Sequence, residues 1–231
     1  MFQRWRSLLF LHFPCEPSEI APLLPPGLSV DTFLDANGRE MAWIGLVPFR
    51  MEGVRTRFLP PVPRLSAFPE TNVRTYVHRD GGAPGVWFFS LDAANPLACR
   101  IARRFFSLPY HEATMTVHER ENARRYESRR RSDGAGHTIA ARFGEPLPPA
   151  EPGTLEFFLA ERYLLYAQKL DGLFTGQVFH TPYPLRQATV ESLSETLVEA
   201  TGLSSRPFVH VLASDGVDVD IHPLRRVPKS F

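Results

Sequence analysis

The chain has 231 residues with 26 basic and 25 acidic side chains, so its charge favours neither nucleic acid nor an anionic membrane surface. No apolar run reaches the length of a membrane span, and Cys15 and Cys99 have neither metal-ligand nor redox spacing. The length suits a single domain over residues 1–231, and without a signal-peptide cleavage pattern we expect a cytoplasmic protein.

Many short segments, punctuated by Gly, Pro, Asn and Asp, predict a fold dominated by strands. Asn37-Gly38 and Gly81-Gly82 mark turns, and residues 132–136 close a further hairpin. In chain order, the predicted strands are residues 5–13, 28–34, 41–51, 72–79, 86–92, 112–119, 123–130, 137–143, 162–168, 173–180, 208–212 and 217–222.

Helices are few in this prediction. Residues 18–24 form a short one, and Thr154 caps another that runs through Ala160. The last predicted helix covers residues 188–200 and ends at Gly202. Its inward-facing residues are Val190, Leu193 and Leu197.

A longer helix follows the strand at residues 86–92. Asn95 is placed to cap it, Pro96 suits its first position, and it must end by Leu108, because the following proline disfavours α geometry there. An apolar stripe along it is predicted to face a core. The stripe consists of Leu97, Ile101 and Phe105.

The segment VWFFSL at residues 86–91 is apolar on both faces, which is typical of a strand that is covered on both sides. Most other predicted strands alternate, so that one face points to a core and the other to solvent or a lumen. These patterns predict an α+β fold. In it a strongly curved antiparallel sheet forms a barrel around a central cavity, with three or four flanking helices.

Four polar residues share one face of the predicted strand at residues 72–79 and its preceding residues, because residues two apart in a strand point the same way. They are Glu70, Asn72, Arg74 and Tyr76. We interpret this face as a polar cavity wall, since the neighbouring strand belongs to the core. The alternative is a solvent-exposed face that carries a weak Glu–Arg pair.

Further candidates follow the Asn95 helix. Arg103 lies on a different side of that helix from Arg100, and a guanidinium turned into a cavity would bind a carboxylate. Tyr110 and His111 come after the helix and could act as acid, base or ligand-orienting groups. A packed, hydrogen-bonded side chain is the alternative for each of them, and a solvated basic face is the alternative for the arginines.

A second polar group combines Glu161, Arg162 and Tyr163 with His180. These residues either bind substrate or serve as structural ties, because buried Arg and Glu need partners. Strand alternation would place Arg162 and Tyr166 on one face.

Six arginines between residues 120 and 131 invite a nucleic-acid interpretation, but interleaved glutamates favour a solvated hairpin. No phosphate-binding glycine loop, paired-histidine motif, Cys-x-x-Cys or Gly-x-Ser-x-Gly is found in the sequence, so neither a cofactor nor a metal is implied. The predicted partner is a small molecule, without nucleic acid or membrane, and a homo-oligomer is left open.

Taken together, several motifs resemble the bacterial family called domain of unknown function 2071, and they span nearly the whole chain. The motifs are LPPGL (24–28), WIGLVPF (43–49), ETNVRTYV (70–77), GVWFFSLD (85–92), LPY (108–110), ERY (161–163) and HTPYPL (180–185). The family usually has Trp where Tyr183 stands.

This family resembles a branch of the acetoacetate-decarboxylase-like superfamily, which implies a cone-shaped barrel around a cavity. True acetoacetate decarboxylases use a lysine after the equivalent proline to form a Schiff base, with a second cation lowering its pKa. Here Tyr110 and His111 follow Pro109, and the chain contains only Lys169 and Lys229. The resemblance therefore implies the cavity, a carboxylate-binding Arg and an acid such as Glu70, without Schiff-base decarboxylation.

We expect a cavity protein that binds a small anionic oxygenated metabolite, with lysine-independent, lyase-like acid/base chemistry. Glu70 and Tyr110 are the candidate catalytic residues. The candidate substrate-binding residues are Arg74, Tyr76, Arg103, Glu161, Arg162 and His180. A non-catalytic ligand-binding or regulatory module on the same barrel is the alternative, and the sequence leaves open whether the protein is an enzyme.

Overall fold

Strands make up most of the structure, a computed structural model that describes residues 1–55 and 66–228. The strands are β1 (Phe2–Cys15), β2 (Ser29–Val30), β3 (Phe33–Leu34), β4 (Glu40–Arg55), β5 (Phe68–Arg79), β6 (Gly82–Ala93), β7 (Tyr110–Arg120), β8 (Ala123–Arg130), β9 (Gly136–Pro146), β10 (Leu164–Lys169), β11 (Gly172–His180), β12 (Leu185–Glu195), β13 (His210–Ile221) and β14 (Arg225–Arg226). The helices are α1 (Pro17–Ile20), α2 (Pro96–Phe106) and α3 (Leu155–Ala160), with 3-10 turns at Ala21–Leu23 and Glu199–Thr201.

The sheet is strongly curved, and seven of its strands form a ring of hydrogen-bonded neighbours. Around this ring the order is β1, β4, β5, β6, β10, β11 and β13, and the pairing of β13 with β1 closes it. The strands β7, β8, β9 and β12 form a second path from β6 back to β13. Among the described strands, pairing is antiparallel except where β6 meets β7 and β10. The predicted curved sheet around a cavity is confirmed.

Two hydrophobic cores lie on opposite sides of β1, β4 and β5. Along β1, Leu8 and Phe10 belong to the core inside the ring, whereas Leu9 and Leu11 belong to a second core beneath β8 and β9. Because successive side chains of a strand point to opposite faces, a strand between two cores can bury apolar residues at consecutive positions. This explains the continuous apolar run at the start of the chain.

Segment 188–200 was predicted to be a helix, and this prediction is wrong. Its first part belongs to β12, and only Glu199–Thr201 is helical, as a 3-10 turn that ends at Gly202 with φ +89°. The register with β9 shifts between Val190 and Ser192, so Val190 and Leu193 both face the second core despite being three residues apart. A bulge therefore produced the three-residue spacing that resembles a helical repeat.

Two further boundaries also differ from the prediction. Strand β13 is continuous where two strands, 208–212 and 217–222, were predicted. At Gly216 the backbone of β13 comes close to that of β1, since a Cβ atom there would lie 2.1 Å from the Trp5 carbonyl oxygen. Strand β10 begins only at Leu164, so Arg162 lies before it, and the predicted alternation from Arg162 to Tyr166 is wrong.

Helix α2 begins as predicted, because the Asn95 side chain accepts hydrogen bonds from the backbone amides of Leu97 and Ala98. The prediction that Leu97, Ile101 and Phe105 face a core is wrong: they are 41%, 46% and 65% exposed. Leu97 and Ile101 line a cavity, and Phe105 lies outside its lining, so within the described residues this apolar stripe is not packed into a core.

Candidate functional site

A cavity of about 350 Å³ lies inside the seven-strand ring, and every strand of the ring contributes to its wall. Most of the lining side chains are apolar. The polar ones include Gln3, Arg55, Ser66 and Asn95 together with Glu70, Asn72 and Arg74 of β5 and Tyr110 of β7. The residues Leu97 and Ile101 of α2 lie at its mouth, together with Met1 and Val54. An apolar cavity with a few placed polar groups is the usual form of a small-molecule site.

Glu70 and Tyr110 form a hydrogen-bonded pair in this cavity. The Tyr110 hydroxyl donates to Glu70 Oε2 at 2.9 Å, and the Glu70 side chain is only 3% exposed. Burial raises the pKa of Glu70 to about 8. The Tyr110 hydrogen bond opposes this shift, and the nearby Asp92 carboxylate adds to it. Glu70 is therefore largely a neutral carboxylic acid at pH 7, and Oε1 is the oxygen left for its proton.

The local sequence explains how Tyr110 reaches Glu70. Helix α2 ends at Ser107, whose φ of +51° reverses the chain, and Pro109 keeps the following backbone extended. Strand β7 then runs parallel to β6 with Tyr110 beside Leu91, one strand away from Glu70.

Arg74 is a buried cation in the same cavity. Its Nη2 donates to the Leu159 carbonyl oxygen at 3.1 Å, and its guanidinium carbon lies 5.7 Å from the centre of the Phe10 ring. Nε has no hydrogen-bond partner, and within the described residues no carboxylate forms an ion pair with this side chain. A buried cation without a counter-charge is unstable. An anionic ligand would supply the missing negative charge.

Gly45 makes room for this guanidinium. A Cβ atom at Gly45 would lie 3.2 Å from both Arg74 Cγ and the Tyr76 hydroxyl oxygen. Such contacts are tighter than ordinary van der Waals contact, so a larger residue here would displace Arg74.

Asn72 lies between Glu70 and Arg74 on the inward face of β5. It is 6% exposed, and its Oδ1 has no hydrogen-bond partner in the part of the chain that the structure describes. An unsatisfied buried amide oxygen normally finds a hydrogen-bond donor. Together, the three side chains form a polar strip in an otherwise apolar wall.

Tyr76, the fourth residue of the predicted face, supports Arg74 and is not part of the cavity lining within the described residues. Its hydroxyl donates to the Leu159 carbonyl oxygen at 2.9 Å, and its ring centre lies 5.6 Å from the Arg74 guanidinium carbon. Both side chains thus converge on the same carbonyl oxygen at the end of α3.

Glu161 and Arg162 form structural ties. The two oxygens of Glu161 accept hydrogen bonds from the Tyr183 amide at 2.9 Å and the Tyr163 hydroxyl at 2.6 Å. Arg162 pairs with Asp31 at 2.6 Å. Both residues border a separate surface cleft of about 430 Å³ and not the Glu70 cavity.

His180 is held between two aromatic rings. Its ring centre lies 4.7 Å from that of Tyr163 and 4.6 Å from that of Tyr183, and Nδ1 donates to the Thr181 carbonyl oxygen at 2.8 Å. Burial lowers its pKa, so the ring stays neutral at pH 7. Tyr183, not His180, provides the cavity surface here.

Arg103 points away from the cavity. Its Nη2 pairs with Glu112 at 3.4 Å, Nη1 donates to the Tyr110 carbonyl oxygen, and the side chain is 46% exposed. The structure therefore brings Glu70, Asn72, Arg74 and Tyr110 together and leaves Arg103 outside.

A buried pair that was not predicted from the sequence lies next to this site. Arg130 Nε donates to both oxygens of Asp92, at 2.9 and 3.0 Å, and joins β8 to β6. Arg130 was predicted to lie on a solvated hairpin, but it is 4% exposed. The position of Asp92 at the end of the apolar VWFFSL strand indicates that this acid is buried and needs a partner. Nothing in the sequence identifies Arg130 as that partner.

Lysine and metal chemistry find little support in the described part of the chain. Lys169 donates to the Phe105 carbonyl oxygen on the outer surface, and Lys229 lies outside the described residues. Residues 1–55 and 66–228 contain no group of three His, Cys, Asp or Glu that could hold a metal ion. They also contain no helix of sufficient length and apolar character to span a membrane.

Known proteins resemble this chain at two levels. At the level of fold, an acetoacetate decarboxylase from Legionella pneumophila matches with a TM-score of 0.65 and 13% identity, covering 98% of this chain and 87% of that one. An acetoacetate decarboxylase-like enzyme from Sphingomonas wittichii RW1 gives 0.64 and 13%, covering 98% and 92%. The enduracididine biosynthesis enzyme MppR complexed with pyruvate gives 0.63 and 10%, covering 97% and 89%. These identities show a shared fold alone.

At the level of sequence, the uncharacterized protein YqjF of Bacillus subtilis (strain 168) is 38% identical over 231 residues, covering 98% of this chain and 92% of that protein. The model of the family DUF2071, described as an uncharacterized conserved protein, matches residues 2–218. The chain therefore belongs to the DUF2071 family, on a fold shared with acetoacetate decarboxylases.

Proposed function

We propose that the protein binds a small anionic oxygenated metabolite in the Glu70 cavity and transfers protons on it without a lysine. The observation that carries this proposal is the presence of a buried cation, Arg74, without a carboxylate partner among the described residues, in the same cavity as a neutral carboxylic acid, Glu70. Arg74 would bind the anion, and Glu70 would act as the acid.

The chemistry follows from the protonation state of Glu70. A neutral carboxyl group can give its proton to a carbonyl oxygen, whereas a carboxylate cannot. The resulting Glu70 carboxylate can then take a proton from the carbon next to that carbonyl, which completes a keto–enol tautomerisation without another reagent. The same group can protonate the enolate that remains when a β-keto acid loses carbon dioxide.

Tyr110 would position the acid. Its hydroxyl occupies Glu70 Oε2, so it fixes which oxygen carries the transferred proton. Burial and the neighbouring Glu70 carboxyl raise the pKa of Tyr110 well above its usual value, so the phenol remains a hydrogen-bond donor. A structural neighbour, MppR, was obtained with pyruvate, a small keto acid, which supports this ligand class.

The alternative is a ligand-binding or regulatory module that uses the same cavity without a reaction. The apolar lining and the unpaired Arg74 serve binding equally well. The raised pKa of Glu70 favours the enzyme, since a binding protein needs shape and polarity but no poised acid. Two buried free thiols, Cys15 and Cys99, agree with the cytoplasm in either case.

The test uses short keto acids in deuterated water. Proton NMR follows the loss of hydrogen signals next to the carbonyl, and calorimetry measures binding. We expect Glu70→Gln to slow exchange by about 10² or more while binding persists. Arg74→Met should weaken binding by roughly 2–5 kcal/mol, part of which reflects unpaired ligand charge.

Arg129→Met is the matched control, because Arg129 is an exposed arginine on β8. It should change neither exchange nor binding. Binding without exchange in the unmodified protein would favour the ligand-binding module. Equal losses for Arg74→Met and Arg129→Met would show that affinity comes from overall charge, and the site would be rejected.

A further inference from the structure

We infer that the ligand is an amphipathic carboxylic acid, with its carboxylate at Arg74 and an apolar chain that runs towards α2. This inference rests on the proposed function, because it names the class of ligand for the same cavity. It differs in requiring a long apolar part, which a short keto acid lacks.

The first step is the position of the cation relative to the mouth. Strand β5 pairs with β6 so that Glu70 lies beside Ala93, close to the start of α2, while Arg74 lies beside Phe88. Four residues of strand place their Cα atoms on the order of 13 Å apart. The Arg74 guanidinium also leans towards Tyr76 and Leu159, away from Glu70. Arg74 therefore lies towards the end of the cavity away from α2, whereas the second lining arginine, Arg55, follows Val54 at the mouth.

The second step is the wall between these ends. Apart from the polar strip of Glu70, Asn72 and Arg74, the polar lining residues are Gln3, Arg55, Ser66, Asn95 and Tyr110, and the rest of the wall is aliphatic or aromatic. The aliphatic and aromatic side chains on β4, β5, β6 and β11 include Val47, Phe49, Met51, Phe68, Phe88 and Val178. Such a wall cannot satisfy the hydroxyl groups of a sugar-like ligand, because buried polar groups without partners are strongly disfavoured. It suits methylene groups.

The third step is size. About 350 Å³ accommodates roughly a dozen groups of the volume of a water molecule. A three- or four-carbon keto acid would fill only about half of that space. A longer acid fills the cavity.

The fourth step is the mouth. Leu97 and Ile101 line the cavity and are also 41% and 46% exposed, so the apolar surface continues from the interior onto α2. Phe106 extends it on the next turn of the same helix. A chain that enters carboxylate first would leave its apolar end against this helix.

The experiment measures binding of straight-chain carboxylic acids from four to twelve carbons by calorimetry, with the primary alcohols of equal length as neutral controls. Acid affinity should rise about fourfold with each added methylene until the cavity is full. Arg74→Met should lower acid affinity by about tenfold or more and change alcohol affinity less than about twofold.

A second variant does not depend on a buried residue. Ile101→Ser at the mouth should weaken the long acids severalfold and leave the four-carbon acid unchanged. Leu34→Ser is its control, since Leu34 is an apolar side chain on β3, 59% exposed and not part of the cavity lining. Circular dichroism and thermal melting establish that each variant is folded.

The outcomes separate this inference from the proposed function. If affinity is flat along the series while short acids still bind through Arg74, the amphipathic ligand is rejected and the proposed function stands. If acids and alcohols gain equally with length but Arg74→Met has no effect, the carboxylate at Arg74 is rejected. If no acid of any length binds the unmodified protein, both proposals fail.

Discussion

Two ionisable side chains on the same face of β5 respond to burial in opposite ways. Glu70 avoids its charged form by keeping a proton, because burial raises its pKa to about 8. Arg74 is a buried guanidinium without a carboxylate partner within the described residues. The protein thus holds one group poised to lose a proton and another poised to accept an anion.

The raised pKa of Glu70 predicts a pH-dependent stability. Its pKa is about 8 in the folded protein against 4.5 as the ordinary value, so the folded state holds the proton more tightly. The contribution of Glu70 to the free energy of unfolding is fully present below about pH 4.5. It is lost as the pH rises towards 8, by up to about 1.4 kcal/mol per pH unit. Glu70→Gln should therefore gain stability relative to the unmodified protein as the pH rises.

Urea unfolding at pH 5, 6.5 and 8 measures this difference. Glu145→Gln, at an exposed position on β9, is the control and should follow the unmodified protein. A difference between Glu70→Gln and the unmodified protein that is constant from pH 5 to pH 8 would contradict the buried-acid interpretation.

Lysine chemistry can be tested directly. Lys169 lies on the outer surface, and Tyr110 and His111, not lysines, follow Pro109. We expect no adduct when the protein is treated with acetoacetate or pyruvate and borohydride. Mass spectrometry of the intact protein detects any adduct. A stoichiometric adduct on Lys169 would contradict the expectation that this surface lysine forms no Schiff base.

The predictability of the candidate site depended on how far apart its partners are in the sequence. The two-residue period of a strand was enough to place Glu70, Asn72 and Arg74 on one face. Arg162 could not be placed in this way, because its partner Asp31 is 131 residues away. Arg103 was predicted to bind substrate, but its two hydrogen-bond partners, Tyr110 and Glu112, lie on β7. The helix sequence does not specify the direction of that strand.

Helix α2 lies between the cavity and the solvent, because Leu97 and Ile101 line the cavity and are also partly exposed. It is held at its start by Asn95, whose side chain accepts two backbone hydrogen bonds. Asn95→Ala should reduce helix stability by about 1 kcal/mol and accelerate amide hydrogen exchange in α2. Hydrogen-exchange mass spectrometry measures this locally.

The matched control is Thr154→Ala. Thr154 caps α3 through a hydrogen bond from the Phe157 amide, so its removal should accelerate exchange in α3 and leave α2 unchanged. If both variants affect α2 equally, the effect is a general loss of stability and not a loss of the cap.

The helix predictions show which sequence patterns are decisive. The start of α2 was predicted correctly because an asparagine followed by proline satisfies two separate preferences of a helix N-terminus at once. The prediction of a helix over residues 188–200 was wrong, because a bulge in β12 lets Val190 and Leu193 share a face at helical spacing. A bulge depends on pairing with β9, and this pairing is a property of the fold and not of the segment.

For the whole molecule, the central feature is that β1, β4 and β5 separate two cores. Ile139 lies in the second core and is fully buried, whereas Trp5 and Trp43 pack on the cavity side. Because both cores share the same three strands, we propose that they unfold together as one domain.

Ile139→Ala tests this coupling. It should destabilise the protein by about 2–5 kcal/mol. The midpoint of urea unfolding should shift equally by far-ultraviolet circular dichroism and by tryptophan fluorescence, although two of the three tryptophans, Trp5 and Trp43, pack on the cavity side of the sheet. Val219→Ala in the cavity-side core is the comparison and should shift both probes as well. A fluorescence midpoint unmoved by Ile139→Ala would indicate two independently unfolding parts.

The curved sheet was predictable because doubly apolar strands imply layers on both sides. The closure of the ring was not, since it depends on short contacts such as the parallel pairing of Leu165 with Val86 and the pairing of Val178 with Ile221. These contacts join strands that are distant in sequence and have no local signature.

The alternation along β5 also limits how relatives of this protein can acquire new ligands. Inserting or deleting one residue in β5 would turn every side chain beyond it to the opposite face. Arg74 would then enter the dry core beside Tyr126 and Ile139, and Val73 would enter the cavity. Substitution, and not a change of length, is therefore the available evolutionary route. A replacement at Phe49, for example, can reshape the cavity while the other core is left intact.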